Sequence, residues 1–251
     1  MSGTGNAKDG RGRLGAMVSG LAVAVGCVLF LGGFAWAAVV YQPYTIPTDS
    51  MAPTVNPGDR VLAERIDGAD VRRGDVVVFT DEVWAATPMV KRVVGVGGDK
   101  VACCDKDGRL TVNGAPVDEP YVEQGPAAAG GKAPASPQEF SATVPQGKIF
   151  LLGDERATSL DSRVHLQDAD QGSVPLSAVQ ARVDAVAWPM DGMIDRPASF
   201  AALPGGVSAA GPLPLQLGAI LVGVALILGG AVYGPVAARL GRRKAPAGGA
   251  R

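Results

Sequence analysis

The chain has 251 residues, a formal net charge of −1 and an apolar fraction of 47%. That length admits one large domain or two small ones. One histidine and three cysteines, two of them adjacent, do not make a metal ligand set.

The apolar fraction is concentrated at the two ends. No charged residue occurs from Leu14 to Thr48, and Ala16–Tyr41 is long enough to cross about 30 Å of hydrocarbon as a helix. Lys8, Arg11, Arg13 and the Ala35-Trp36-Ala37 stretch also resemble the parts of a removable signal peptide. The apolar run exceeds the roughly 7–15 residues of such a segment, so a retained anchor is expected. Leu215–Val236 reads as a second span, in which its glycines and Pro235 are tolerable. Basic residues flank both spans on their outer ends, at Lys8, Arg11 and Arg13 and again at Arg239, Arg242, Arg243, Lys244 and Arg251. Residues 1–15 and 237–251 are therefore expected in the cytoplasm, with spans at 16–41 and 215–236 and residues 42–211 across the membrane. That intervening region holds 23 acidic against 15 basic residues, net −8. An acidic domain without a basic stripe excludes nucleic acid as a natural partner.

Between the spans the pattern is that of strands. Arg60–Ile66, Asp75–Thr80, Met89–Gly98, Lys148–Asp154 and Arg182–Met190 are rich in β-branched residues and bounded by Gly, Pro and Asp. Asp107-Gly108 and Asn113-Gly114 are hairpin signals. The expected fold is mainly β, an antiparallel domain flanked by two membrane helices. Residues 123–138, rich in Gly, Ala and Pro, read as a flexible surface insert, and 198–214 as a linker into the second span. Cys27 reads as a small filler within the first span. Cys103 and Cys104 fall in the exported region, where disulfides persist. Adjacent Cα atoms lie about 3.8 Å apart, below the usual range for a bridge, so pairing would require strain.

Three stretches carry possible chemistry. Ser50, between Pro47 and Pro53, is either a turn cap or a nucleophile held beside the membrane. The lone histidine, His165, lies in a polar, Asp-rich stretch that reads as an exposed loop, so a base for Ser50 has to be sought elsewhere. A lysine can serve, because burial disfavours its cation and a neutral amine accepts a proton. Lys91 fits that need: it alternates with Met89 and Val93 on one strand face, and Gly95 leaves room for a neighbour. The alternative is a lysine reaching out to solvent. Arg92 points the other way, as an ion-pairing residue. Gly153–Arg163 reads as a turn whose charges pair internally, Asp161 with Arg163 or Arg156.

Together "SMAPTV" (Ser50–Val55), "RGDVVVF" (Arg73–Phe79), "KRVVGVGGD" (Lys91–Asp99) and "GDERATSLDSR" (Gly153–Arg163) resemble the type I signal peptidases. Those are membrane-bound Ser/Lys leader peptidases, and the two spans resemble Gram-positive members. The resemblance implies removal of signal peptides from exported preproteins by cleavage after Ala-X-Ala. It implies Ser50 as nucleophile and Lys91 as general base, with Ser159 orienting the amine. Asp161 and Arg163 would support Ser159, and Gly153 and Asp154 would shape the turn. Thr48 would join the Ser50 N–H in holding the oxyanion, a role worth roughly 3–4 kcal/mol per donor. Met51 would contact substrate or lipid. The implied partners are signal peptides, membrane lipid and a nearby export channel, with no cofactor, metal or nucleic acid. Glu155, Ala157 and Thr158 depart from the family pattern and put the turn geometry in question. The rival readings are another membrane Ser-Lys hydrolase and a non-catalytic β module. A penicillin-binding enzyme is disfavoured, because Ser50 lacks the Ser-x-x-Lys spacing.

Overall fold

Runs of β-branched residues, broken by Gly, Pro and Asp, build two antiparallel sheets in the computed structural model, which describes residues 9–122 and 133–243. In chain order the strands are β1 (Tyr41–Thr45), β2 (Arg60–Arg65), β3 (Val76–Asp81), β4 (Ala85–Val96), β5 (Lys100–Cys103) and β6 (Thr111–Val112). They continue as β7 (Ala115–Pro116), β8 (Phe140–Thr143), β9 (Lys148–Leu152), β10 (Val174–Pro175), β11 (Val179–Trp188) and β12 (Gly192–Met193). Among the described residues the larger sheet runs β1-β2-β11-β3-β4-β9-β10, with β12 paired to β11. The smaller, β7-β6-β5-β8, is inserted between β4 and β9. The expected antiparallel β architecture is what the chain adopts.

Alternation along β3 feeds two cores at once. Val76 and Val78 pack with Ile46, Met51, Val55 and Val61, whereas Val77 and Phe79 pack with Val93, Ile149 and Leu151. A third core joins the sheets through Val101, Leu110, Phe140, Phe150 and Phe200. Gly95 is small for this third core: a Cβ there would press on Val101. The neighbour that Gly95 admits is thus a valine of the smaller sheet. Asn113 and Gly114, at φ 56° and 79°, make the tight turn from β6 to β7.

Residues 198–214 are more than a linker. A short helix, α2 (Ala198–Ala201), buries Phe200, and Pro204 accepts a hydrogen bond from Arg73 Nη1 at 2.6 Å. A disulfide joins Cys103 to Cys104 across a cis peptide, with Cα atoms 2.9 Å apart. The expected 3.8 Å holds for a trans peptide only.

The terminal helices form a unit separate from Val40–Gly211. Within α1 (Gly15–Val40 of Asp9–Val40) and α3 (Leu213–Val236 of Leu213–Arg243) lie stretches long and apolar enough to cross a membrane. Glycines bring the two backbones together. A Cβ on Gly26 would meet Gly223, one on Gly230 would meet Ser19, and Ser19 Oγ donates to Gly230 O at 2.6 Å. Close approach over small residues is how helices associate where no hydrophobic force separates them from lipid.

Candidate active site

Ser50 sits in the loop from β1 to β2, which its own backbone braces. Ile46 N donates to Asp59 O at 2.9 Å, Gly58 N to Ile46 O at 2.8 Å, and Val55 N to Met51 O at 3.0 Å. Met51 is 1% exposed and belongs to the core around Val55 and Val61. An apolar side chain between two prolines is drawn inward where the loop folds over the sheet. Met51 also lines the cavity described below.

Lys91 lies on β4 opposite Val77 of β3, is 5% exposed, and its Nζ donates to Ser50 Oγ at 2.6 Å. Burial lowers its pKa to about 8, against the pull of the Asp161, Asp154 and Asp49 charges, with Arg163 adding to the lowering. Thr48 Oγ1 stands 3.3 Å from Ser50 Oγ. These three side chains, separated in sequence, meet at one point.

The turn from Gly153 to Arg163 closes over them. Gly153 has no room for a side chain: a Cβ would overlap Ser159 Oγ and the Ser50 carbonyl oxygen. Glu155 N donates to that carbonyl at 3.2 Å. Asp161, fully buried, accepts from Gly153 N at 3.0 Å and from Arg163 Nε and Nη2, each at 2.8 Å. Asp154, also fully buried, accepts from Arg92 Nε and Nη2 at 2.9 and 2.7 Å and from Thr54 Oγ1 at 2.6 Å. Ser159 Oγ is buried and makes no hydrogen bond among the described residues, including none to Lys91. The Asp161–Arg163 pair forms, whereas Arg156 turns to Glu119 instead.

Glu155 keeps the turn intact despite departing from the family pattern. Its carboxylate accepts from Thr158 N at 2.7 Å and from the Thr158 hydroxyl. His165 is half-buried in a 3₁₀ turn, stacked on Trp84 with centroids 4.8 Å apart and Nδ1 3.0 Å from Asp168. It is thus anchored and not an exposed loop residue. Glu119, Tyr121 and Ser162 are the structured partners that sequence reading missed. Ser162 Oγ takes Leu151 N at 2.8 Å and donates to Gly172 O at 2.7 Å, so it locks the turn to β9.

A cavity of about 350 Å³ opens on the pair, lined by Tyr44, Ile46, Thr48, Ser50, Met51, Val78, Pro88, Met89, Val90 and Lys91. Beside it, β9 pairs with β4 only from Arg92 onward, so among the described residues the outer edge of Ala85–Val90 carries no strand.

The lowered Lys91 pKa has a consequence for stability. Between about pH 8 and the ordinary 10.5 the unfolded chain holds a proton that the folded chain does not, so stability rises with pH across that window. Below it the folded state carries a penalty of about 3 kcal/mol. Lys91→Met is expected to raise Tm at pH 7, with the gain shrinking toward pH 10; a lower Tm at pH 7 contradicts the burial.

The family model described as "Signal peptidase, peptidase S26" matches residues 17–188. The chain belongs to this family, whose members are serine peptidases. A probable signal peptidase I of Mycobacterium leprae is 32% identical over 203 residues, covering 60% of this chain and 69% of the relative. A signal peptidase I of Mycobacterium tuberculosis is 31% identical over 194 residues, covering 60% and 66%. The chain thus spans about two thirds of each relative's length. Among solved structures, a signal peptidase I of Enterococcus faecalis is 27% identical with a TM-score of 0.36, covering 44% of this chain and 94% of that one.

Proposed function

We propose that the chain removes amino-terminal signal peptides from exported preproteins, with Ser50 as nucleophile and Lys91 as general base. The contact of 2.6 Å between a buried amine and a serine hydroxyl carries this reading. A neutral Lys91 takes the Ser50 proton as Oγ attacks the scissile carbonyl carbon. The tetrahedral oxyanion is held by the Ser50 N–H and the Thr48 hydroxyl. Lys91, now an ammonium, gives its proton to the departing amine and leaves an acyl-enzyme. A water deprotonated by the same amine then attacks the ester and frees the carboxyl product and Ser50. Ser159 Oγ, buried with its hydrogen-bonding capacity unused, is suited to orient the amine once the serine proton has moved. Asp161, with Arg163, holds the Ser159 turn.

The substrate binds as an extended segment along the free edge of Ala85–Val90, adding a strand to β4. Its small side chains enter the adjoining cavity, which gives cleavage after Ala-X-Ala. The basic flanks of the two spans put both termini in the cytoplasm and the β domain outside. Ser50, shortly beyond α1, then works beside lipid and near the export channel, where a signal peptide's cleavage site emerges. A panel of precursor peptides tests this. An Ala-X-Ala precursor is cut at the second alanine, and a bulky residue at either alanine lowers kcat/KM by at least about 100-fold. Cleavage indifferent to those positions overturns the proposal.

A further inference from the structure

Behind the Ser50–Lys91 pair lies a closed run of side chains that the proposed chemistry does not use. Glu119, in the segment that leaves β7, is buried, and it receives Arg156 Nη1 at 2.8 Å and Nη2 at 2.5 Å, one on each carboxylate oxygen. The Tyr121 hydroxyl donates to the same carboxylate at 2.6 Å. The Tyr121 ring lies against Arg92, whose Cζ is 3.8 Å from the ring centroid. Arg92 follows Lys91 on β4 and is bound to Asp154.

The run also ends on the catalytic turn. Arg156 Nε donates to Gly153 O at 2.9 Å, and Arg156 O accepts from Arg163 Nη1 at 2.8 Å. Gly153 is the residue wedged between Ser159 and the Ser50 carbonyl. Two residues of the inserted segment therefore grip the active site from both sides, one through the turn and one through the strand. Apolar residues could join the two sheets without burying charge. What the two-pronged guanidinium–carboxylate contact and the stacked ring add is direction, because each fixes a planar group in one orientation.

We infer that Glu119 and Tyr121 are positioning residues, holding Arg156 and Arg92 so that the Gly153–Asp161 turn and the strand bearing Lys91 keep the separation that proton transfer needs. The inference rests on the Ser50–Lys91 reading above. The largest charge effects on Lys91 come from Asp161, Asp154, Arg163 and Asp49. Glu119 reaches the site through its contacts with Arg156 and Tyr121, and those contacts are the proposed route.

The test is steady-state cleavage of an Ala-X-Ala precursor by the full chain in detergent, across pH, with Tm recorded for each variant. Glu119→Gln and Tyr121→Leu lower kcat about 10- to 100-fold, the scale of a small misplacement of reacting groups, with KM little changed. Their activity rises at higher pH than in the parent, because a loosened turn lets water reach Lys91. Tyr121→Phe, which keeps the ring on Arg92, loses less than Tyr121→Leu. Glu139→Gln, the same charge change at an exposed site, behaves as the parent. An unchanged kcat in Glu119→Gln overturns the inference, and so does a lower kcat with an unmoved pH profile. Should Glu119→Gln not fold, the Tyr121 pair decides: equal rates in Tyr121→Phe and Tyr121→Leu overturn it. Full cleavage by Ser50→Ala or Lys91→Ala would instead refute the underlying reading, whatever the Glu119 variants do.

Discussion

Ser50→Ala and Lys91→Ala each lower kcat for precursor cleavage by about 10⁶-fold, the scale seen when one member of a nucleophile–base unit is removed. Thr48 stands only 3.3 Å from Ser50 Oγ, but it makes no hydrogen bond to Lys91 among the described contacts, so it offers no substitute nucleophile. Lys91→Arg is expected to be as inactive as the alanine variant, although it keeps the positive charge. A guanidinium is never neutral in a protein and cannot accept the serine proton. The residual rate comes from the remaining oxyanion donors and from binding. Quantifying product by mass spectrometry over long incubations checks this. Either alanine variant within about 100-fold of the parent would remove Ser50 and Lys91 from the chemistry.

The second large effect is on the fold around the site. Asp154→Ala strands Arg92, which is 1% exposed, without its carboxylate. Removing one member of a buried pair costs about 3–5 kcal/mol, because the other charge stays buried and unpaired. Thr54 loses its acceptor in the same variant. A paired replacement, Arg92→Met with Asp154→Leu, removes both charges and is expected to recover much of that loss. Activity does not return with it, since Arg92 neighbours Lys91 and Asp154 opens the catalytic turn. Denaturant unfolding of the three proteins measures this. A loss under about 1 kcal/mol in Asp154→Ala would show that water reaches the pair.

Much of the fold was readable because its signals are local. β-Branched runs gave the strands, and Asn113-Gly114 gave a turn that needs positive φ at both positions. The site is different. Ser50 and Lys91 lie 41 positions apart, and Lys91 matters only because tertiary packing buries it. On residue type alone, a turn cap at Ser50 and a solvent-reaching lysine at Lys91 are the commoner readings; only the four motifs taken together single the two residues out. Glu119 left no trace, since its partner Arg156 is 37 positions away and a single acid before a proline has no period. Met51 is both packed into the core and part of the cavity lining, a double placement that no local pattern around a loop methionine announces. Phe200 likewise anchors α2 as one aromatic residue within a Gly/Ala/Pro stretch.

The most direct test of a neutral, proton-accepting Lys91 is the pH dependence of Ser50 acylation by a small, non-peptide acylating compound, followed by intact-mass analysis. The rate should be low in acid and rise through a midpoint of about 8. It should vanish in Lys91→Met at every pH. A flat profile, or a midpoint at the ordinary lysine value of 10.5, would mean that the amine beside Ser50 is not the base.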